Sequence, residues 1–421
     1  MISTLRNAWK IPDLRKRMLY TLLMLVVFRL GTFIPVPGLN REVLSQLASE
    51  GGNTLFALLN SFSGGSFSNA TIFAMSITPY INSSIILQLL TVAIPALERL
   101  SKEGEEGRKV IAKWTRYVTV ILAFIQATGL YFGLGAVANP GLKSFIVIVT
   151  TFTAGTAFLM WLGEQITEKG VGNGISMIIF AGIVSSVPGM IWDMYQNFIS
   201  GAINIWGIVG IAVFALVMIA FVVFITDAER RIPVQYAKRM VGRKMYGGQS
   251  THIPIKVAMA GVIPIIFAMS ILAFPSTIMS FTGGMPTEGF WGAFWREVTS
   301  GWTYAVLYFL LILFFTYFYT AIQFNPIEIA NNMKRNGGSI PGIRSGKPTS
   351  DYISKILTRI TLAGAIFLAI IACVPMILGQ FMNFTIQIGG TSLLIMVGVA
   401  LETVKQIESQ MLMRHYKGFL D

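Results

Sequence analysis

The chain has 421 residues, of which 54% are hydrophobic and only 12% are charged. A soluble domain carries about a quarter charged residues, so this composition excludes an ordinary water-soluble fold and indicates a protein that lies in lipid. The net charge of +13 would suggest nucleic-acid binding in a soluble chain, but here the distribution of the basic residues along the chain carries the information.

Ten apolar segments follow one another between charged or Pro/Gly-rich breaks, each close to the roughly 20 residues that a membrane-spanning helix needs. The first is not followed by a small-residue cleavage site, so we expect a retained span rather than a signal peptide. The predicted spans are 18–34, 70–93, 114–135, 142–163, 175–194, 206–226, 257–281, 302–323, 360–380 and 385–401.

The basic residues fix the orientation of these spans. Of the 32 Lys and Arg, 28 lie in the two termini or in and beside the loops after spans two, four, six and eight, and 3 lie on the other side. Cytoplasmic loops of membrane proteins carry such an excess. We therefore expect ten spans with both termini in the cytoplasm.

A polar, Gly/Ser-rich segment, LLNSFSGGSFSNA, precedes the second span at residues 58–70. It is too polar to cross lipid and too apolar for an ordinary exposed loop. Irregular backbone at membrane depth is tolerated where protein surrounds it, so the segment is a candidate for re-entering the protein. The alternative is a simple external loop.

Prolines interrupt two of the spans. Dividing the ten spans into five plus five makes spans two and seven equivalent; span two carries Pro79, and span seven carries Pro264 and Pro275. Broken helices at matching places mark the pathway in many transporter folds. Prolines also kink membrane helices without any function, and the pattern leaves both interpretations open.

Ionisable side chains are nearly absent from the middle of the spans. Glu164, Asp193, Asp227 and Glu402 lie near span ends, and Arg29 is the only charge in mid-span. Ion-coupled transporters and cation channels need carboxylates or histidines at membrane depth, so ion coupling is disfavoured. We expect Arg29 to have a structural role.

The sequence carries no enzyme signature. GVGNG at residues 170–174 resembles a phosphate-binding loop, but the Lys-Ser/Thr of the Walker pattern is missing. We expect it to end a cytoplasmic turn and open span five. Cys373 is the single cysteine, which excludes an intrachain disulfide, and His252 and His415 are too far apart to indicate a metal site. No cofactor is expected.

Two cytoplasmic loops, 227–256 and 324–359, are long and basic. Loops of this size exceed what a turn needs and are typical of docking surfaces. The Pro/Gly-containing stretch SIPGIRSGKP at 339–348 favours an ordered tip over charges that only set topology.

Six stretches, in order along essentially the whole chain, resemble the SecY family, the large channel subunit of the Sec protein-conducting translocon. The chain is similar to that family in its ten spans as well as in these motifs. The stretches are RLGTFIPVPG (29–38), FSGGSFSNATIFAMSITPYINSSIILQLL (62–90), GVGNGISMIIFAGIV (170–184), RRIPVQYAKRMVGRKMYGGQSTHIPIKVAMAGVIPIIFA (230–268), QFNPIEIANNMKRNGGSIPGIRSGK (323–347) and GGTSLLI (389–395).

The resemblance implies an all-α membrane fold of ten helices in two pseudo-symmetric five-helix halves, 1–200 and 201–421, hinged near the loop between spans five and six. It also implies a waist of apolar side chains. An apolar constriction excludes ions by dewetting, yet its side chains can part around an extended polypeptide. By motif position the ring is Ile77, Ile81, Ile175, Ile179, Ile266 and Ile395.

The same resemblance implies a plug that seals the channel at rest and a lateral gate through which apolar segments reach lipid. The gate candidates are Asn82, Gln88 and Phe274; Asn82 and Ser76 depart from the residues that the family pattern leads us to expect. The plug is Asn60, Ser61, Phe62, Ser63, Gly64, Gly65, Ser66, Phe67, Ser68, Asn69 and Ala70.

The resemblance further implies that the two long loops dock the SecA motor ATPase and the ribosome through Arg243, Lys244 and Arg344. Guanidinium groups suit carboxylates and phosphates alike. SecE and SecG would be partner subunits, preproteins with their signal sequences the substrates, and the bacterial cytoplasmic membrane the location.

Three functions remain to be separated. A protein-conducting channel is favoured by the motifs and by the charge-free spans. A secondary transporter of small solutes would also have ten spans and broken helices, and an insertase or assembly scaffold would have no pore.

Overall fold

The computed structural model describes residues 2–49, 60–133, 137–201, 204–236, 239–241, 244–246, 250–259, 261–281, 302–381 and 390–417. Most of these residues are helical, as the apolar spans predict. In the first part of the chain the helices are α1 (Ile2–Lys10), α2 (Pro12–Gly31), α3 (Arg41–Ser49), α4 (Thr78–Ala93), α5 (Pro95–Lys102), α6 (Glu105–Gly133), α7 (Leu142–Lys169), α8 (Gly174–Ile199) and α9 (Ile205–Asp227).

The second part begins with four strands, β1 (Glu229–Tyr236), β2 (Arg239–Val241), β3 (Lys244–Tyr246) and β4 (Ser250–Lys256). The remaining elements are α10 (Ile263–Phe281), α11 (Trp302–Gln323), α12 (Pro326–Arg335), β5 (Gly338–Ser339), α13 (Lys347–Phe381) and α14 (Gly390–Lys417).

Each of the ten predicted spans overlaps one helix: α2, α4, α6, α7, α8, α9, α10, α11, α13 and α14. By length and composition, six helices among the described residues can cross a membrane, and α4 with α5, bent by 102°, would make a seventh. The mainly helical membrane fold is therefore confirmed. The helix positions are consistent with a count of ten.

The prediction for the start of span two was wrong. Residues 71–77 form turns, and α4 begins at Thr78 rather than at Ala70. Ser76 has a left-handed backbone, with φ of 52°, which interrupts a right-handed helix. Pro79 then lies in the first turn of α4, where its missing N–H and fixed φ fit a helix start.

The predicted loop 324–359 is also more helical than expected. It contains α12, and its last part belongs to α13, which has 35 residues. A helix of that length extends over about 50 Å, well beyond the ~30 Å hydrocarbon core of a bilayer. The helix is therefore longer than a single crossing needs.

The chain divides into two compact units. The first consists of Met1–Ile211, Met269–Tyr304 and Ile395–Asp421, and the second of Ala212–Ala268 and Ala305–Leu394. In the first unit, one apolar core joins Phe67 and Ala70 to α6 and α7, and another joins α1 and α2 to Val171 and Ile407. The second unit has a core of its own, which lies beneath a small sheet.

That sheet consists of residues from both long loops. Its strand order is β4-β1-β5, and β1 is antiparallel to both neighbours. In β1, the buried Ile232 and Val234 alternate with exposed residues, so one face covers a core. The core combines Ile255 of the first loop with Met333, Ile340, Ile353 and Leu357. The sequence had predicted two loops and no strands.

Candidate functional site

The segment predicted as a plug, residues 60–70, is a compact series of turns held by its own hydrogen bonds. The amide of Gly65 donates to the carbonyl of Asn60 at 2.9 Å, and the amide of Ser68 donates to Oδ1 of Asn60 at 3.0 Å. The hydroxyl of Ser66 donates to the carbonyl of Ser63 at 2.7 Å. Short polar side chains thus satisfy the backbone locally, which is the physical use of Ser and Asn in such a segment.

About half of the segment is buried in the first unit, and its other residues are half-buried. Phe62, Ser63, Ser66, Phe67 and Ala70 are all buried. Phe67 and Ala70 belong to the apolar core that also contains Val36 and Tyr131. Because its polar groups bond to one another, the segment can occupy the protein interior without leaving buried donors unpaired.

Three helix glycines allow the segment and the turns after it to approach closely. A Cβ added at Gly182 of α8 would overlap the carbonyl of Phe62, and one added at Gly155 of α7 would overlap the carbonyl of Ile72. At Gly31 of α2 an added Cβ would overlap the ring of Phe73. These glycines were not predicted as site residues.

Phe73 anchors the turns that follow the plug. Its ring stacks on Phe28 of α2 and on Phe158 of α7, with centroid distances of 6.0 Å in both cases. The side chain of Phe73 is buried. Two helices therefore fix the chain between the plug and α4.

Arg29 of α2 contacts the segment predicted as a plug directly. Its Nη1 donates to the carbonyl oxygen of Gly64 at 3.2 Å, and its guanidinium carbon lies 4.9 Å from the centre of the Phe33 ring. Both contacts suit a cation away from water, because one supplies an acceptor and the other a negative ring face. Arg29, expected from the sequence to lie in mid-span, is thus in the last turn of α2, and it has an acceptor in the segment 60–70.

Five of the six predicted ring isoleucines belong to the first unit. Ile77, Ile81, Ile179 and Ile395 are buried and Ile175 is half-buried. Ile77 lies at the N-cap of α4, and the amide of Ile81 donates to its carbonyl at 3.1 Å, so the two residues are one turn apart on one face.

The other pair, Ile175 and Ile179, is likewise one turn apart in α8. Ile175 packs on α7, since a Cβ added at Gly163 would lie 2.6 Å from its Cδ1. Ile266 lies in α10 within the second unit and is half-buried. The ring as a whole stays a prediction.

The lateral-gate candidates lie on two helices. Asn82 is half-buried and Gln88 exposed on α4, and at 100° per residue they are about 120° apart around the helix. The two side chains therefore do not share one face. Phe274 lies in α10, and its side chain is outside the described residues.

The GVGNG stretch is the turn between α7 and α8, as predicted. Oδ1 of Asn173 accepts from the amides of Ile175 at 3.1 Å and Ser176 at 3.4 Å, which is an N-cap. The amide of Val171 donates to Oγ1 of Thr21 at 2.9 Å, which fixes the turn to α2. The glycines here shape a helix junction, and the phosphate-loop interpretation is not needed.

The predicted docking residues lie on the second unit's loops. Arg344 is exposed between β5 and α13, and its carbonyl accepts from Oγ1 of Thr349 at 2.8 Å. Lys244 opens β3, with its side chain outside the described residues, and Arg243 also lies outside them. Of the three predicted docking residues, Arg344 is therefore the one whose side chain can be described, and it is an exposed cation.

Pairs of charges lie near the helix ends of the first unit. Nε of Arg116 on α6 is 2.6 Å from Oε1 of Glu164 on α7. On α5, Nζ of Lys102 donates to Oε1 of Glu98 at 2.6 Å, and this bond lowers the pKa of the Glu98 carboxyl. Among the residues that the structure describes, no three His, Cys, Asp or Glu side chains are grouped so as to hold a metal ion.

A comparison with known protein families shows to which family the chain belongs. The profile of the SecY family matches residues 71–404, which is most of the chain. The chain belongs to the SecY family. The resemblance stated from the six sequence motifs is therefore confirmed.

Curated SecY relatives are similar to this chain over their whole length. The protein translocase subunit SecY of Halalkalibacterium halodurans is 49% identical over 436 residues, and that of Bacillus subtilis strain 168 is 47% identical over 437 residues. In both cases all of this chain and all of the relative are covered. Family membership gives no support to the small-solute transporter considered above.

Solved structures share the fold at lower identity. One described as a protein-conducting channel gives a TM-score of 0.69 at 19% identity and covers 94% of this chain and 92% of its own. Canine Sec61 in a ribosome–channel complex gives a TM-score of 0.66 at 17% identity, with the same coverage. The SecY channel fold predicted from the sequence is therefore confirmed.

Proposed function

We propose that this chain is the protein-conducting subunit of a bacterial Sec translocon. It passes unfolded secretory polypeptides across the cytoplasmic membrane and releases hydrophobic segments laterally into lipid. One observation carries the proposal: a polar, Gly/Ser-rich segment, 60–70, enters a SecY-family protein, where its Ser63 and Ser66 are fully buried. A segment of this kind can act as a seal in a pore that opens for a large substrate and otherwise prevents the passage of ions.

The constriction is the ring Ile77, Ile81, Ile175, Ile179, Ile266 and Ile395. Apolar side chains hold no water in a narrow pore, so ions meet a barrier while a polypeptide of any sequence can pass between them. A ring of charged side chains would admit some polypeptide sequences better than others. Supporting this role, Ile77 and Ile81 share one face of α4, and Ile175 and Ile179 share one face of α8.

Residues 60–70 close the outer side of this ring at rest. Their hydrogen bonds are largely internal, so the segment can change position without breaking most of them. Displacement of the segment opens the pore. Two five-helix halves, 1–200 and 201–421, separate during opening, and signal sequences reach lipid through the seam between them. Asn82 and Gln88, on different faces of one helix, and Phe274 lie on the two helices that border this seam.

The two long cytoplasmic loops form the docking site. Arg243, Lys244 and Arg344 bind acidic or phosphate groups of the SecA motor and the ribosome. The chain itself hydrolyses nothing, and the partner supplies the energy. SecE clamps the two halves, SecG lies at the periphery, and both termini are cytoplasmic, as the basic loops favour.

Reconstitution tests the proposal. The chain, purified with its SecE and SecG partners in liposomes, is given SecA, ATP and a labelled secretory precursor. The expected result is precursor that becomes protease-protected only when SecA and ATP are both present. Assembled complex that never protects precursor, or gradient-driven solute uptake by the chain alone, would contradict the proposal.

A further inference from the structure

We propose that Arg29 is a latch that holds the plug on a glycine seat. The inference rests on the proposed function, because it assigns a mechanical role within the same channel.

The latch is one side chain. Arg29 lies in the last turn of α2, where a cation is favoured by the helix dipole, and its Nη1 reaches the carbonyl of Gly64 at 3.2 Å. Gly64 and Gly65 have φ of 64° and 85°. A tight left-handed turn of this kind is accessible to glycine without strain.

The seat is the middle of α8. A Cβ added at Gly64 would overlap the hydroxyl of Ser185 and lie 3.1 Å from the carbonyl of Gly182. Gly182 in turn has room only for a hydrogen beside the carbonyl of Phe62. The hydroxyl of Ser185 donates to the Gly182 carbonyl at 2.7 Å, so it is directed along its own helix.

The other end of the plug is attached by backbone. The amide of Val36 donates to the carbonyl of Ala70 at 2.8 Å, and the amide of Ile72 donates to the carbonyl of Ile34 at 3.1 Å. Phe67 and Ala70 are also packed in the apolar core with Val36. The two ends of the plug are also joined to each other, since the amide of Asn69 donates to the carbonyl of Gly65 at 3.2 Å. The plug therefore leaves the seat as one hydrogen-bonded segment, and the Arg29–Gly64 bond is lost when it does.

The Arg29–Gly64 bond stabilises the seated plug and so lowers the fraction of channels in which the plug has left the seat at rest. Arg29 is a positioning residue, since it acts on the pore through the plug. Phe33, beside the guanidinium, keeps the side chain in reach of its acceptor.

The experiment measures resting ion leak through reconstituted complex in planar bilayers without precursor. All variants carry Cys373→Ser. Arg29→Ala is expected to raise the leak at least about tenfold, the factor for loss of one hydrogen bond to a charged donor. Arg29→Lys, which keeps a cationic donor, is expected to restore most of the seal.

A matched arginine separates plug release from general loosening. Arg15 is exposed on the same helix, about 20 Å along the axis from position 29. Arg15→Ala is expected to leave the leak of the parent unchanged. Equal leak from Arg15→Ala and Arg29→Ala, or an Arg29→Ala protein that leaks no more than the parent, would overturn the latch.

Precursor transport by the parent complex is measured in the same preparations. If the latch is wrong but transport proceeds, only the role of Arg29 fails. If no precursor is transported, the proposed function itself fails. The two failures are therefore distinguishable.

Discussion

Ser339 pairs with Gln235 in an antiparallel ladder that joins two loops 104 residues apart in the chain. Tyr236 pairs with Gly338 beside them. The two basic loops are thus parts of one small domain with a common core, and a partner that binds one loop also meets the other.

The shared core predicts that one substitution loosens both loops. Ile340 belongs to the second loop and is buried beneath the sheet of the first. Ile340→Ala should cost about 2–4 kcal/mol because it leaves a cavity. Hydrogen exchange should accelerate in β1 as well as around β5. The control is Ile327→Ala, whose side chain is 64% exposed on α12. If β1 keeps its protection in the Ile340 variant, the loops are independent.

The proposed docking role of Arg344 predicts a defect in transport without a defect in folding. The side chain is exposed, and only its backbone carbonyl holds the start of α13 through Thr349. Arg344→Glu should therefore abolish SecA-driven transport. The free energy of unfolding of the complex should stay within about 0.5 kcal/mol of that of the parent. Lys334→Glu, an exposed charge reversal on α12, is the matched control. Equal transport by the two variants would remove Arg344 from the docking site.

Two helix N-caps are asparagines with the same geometry. Comparing their variants separates an effect on protein stability from an effect on the seal of the channel. Asn173 and Asn325 each accept from the amides two and three residues further on, at 3.1 and 3.4 Å in both cases. Replacing either with Ala should cost about 1 kcal/mol. Only Asn173 precedes the predicted ring residue Ile175, so only its variant should raise resting leak. Conductance and thermal unfolding check this, and equal leak from both variants would count against Ile175 as a ring residue.

The Glu98–Lys102 pair predicts a local response to pH. The hydrogen bond from Lys102 lowers the pKa of Glu98 from its usual value of 4.5, so the pair contributes above that pH and is lost as the pH falls through the lowered value. Both side chains are exposed, so stability should change little. Lys102→Met should raise the pKa of Glu98, as measured by NMR of labelled carboxyl carbons, whereas Lys109→Met should not. An unchanged pKa in the Lys102 variant would contradict the bond.

The sequence predicted what depends on local composition. Hydropathy predicted ten apolar segments that each overlap a helix, because a bilayer demands an apolar helix wherever the chain crosses it. The turn at Asn173 was also predictable, since Gly and Asn have characteristic places at helix junctions. The family was recognised from motifs that span the chain.

What the sequence did not predict depends on distant contacts. The alternation of Ile232 and Val234 indicates a strand, but nothing near it indicates Ser339 as a partner. The left-handed turn at Ser76, which delays α4, is unusual for a serine. The close approach at Gly182 was not visible either, since a glycine within an apolar helix differs from its neighbours only in lacking a side chain.

The central claim is that a translocating polypeptide passes through the isoleucine ring. The direct measurement is disulfide crosslinking of Ile77→Cys, in a Cys373→Ser background, to a cysteine in a secretory chain stalled during transport. The control is Leu216→Cys on α9, whose native side chain is 67% exposed on the described surface. We predict a crosslink at position 77 and none at position 216. Transport that proceeds with no crosslink at position 77, or with equal crosslinking at both positions, would contradict the claim.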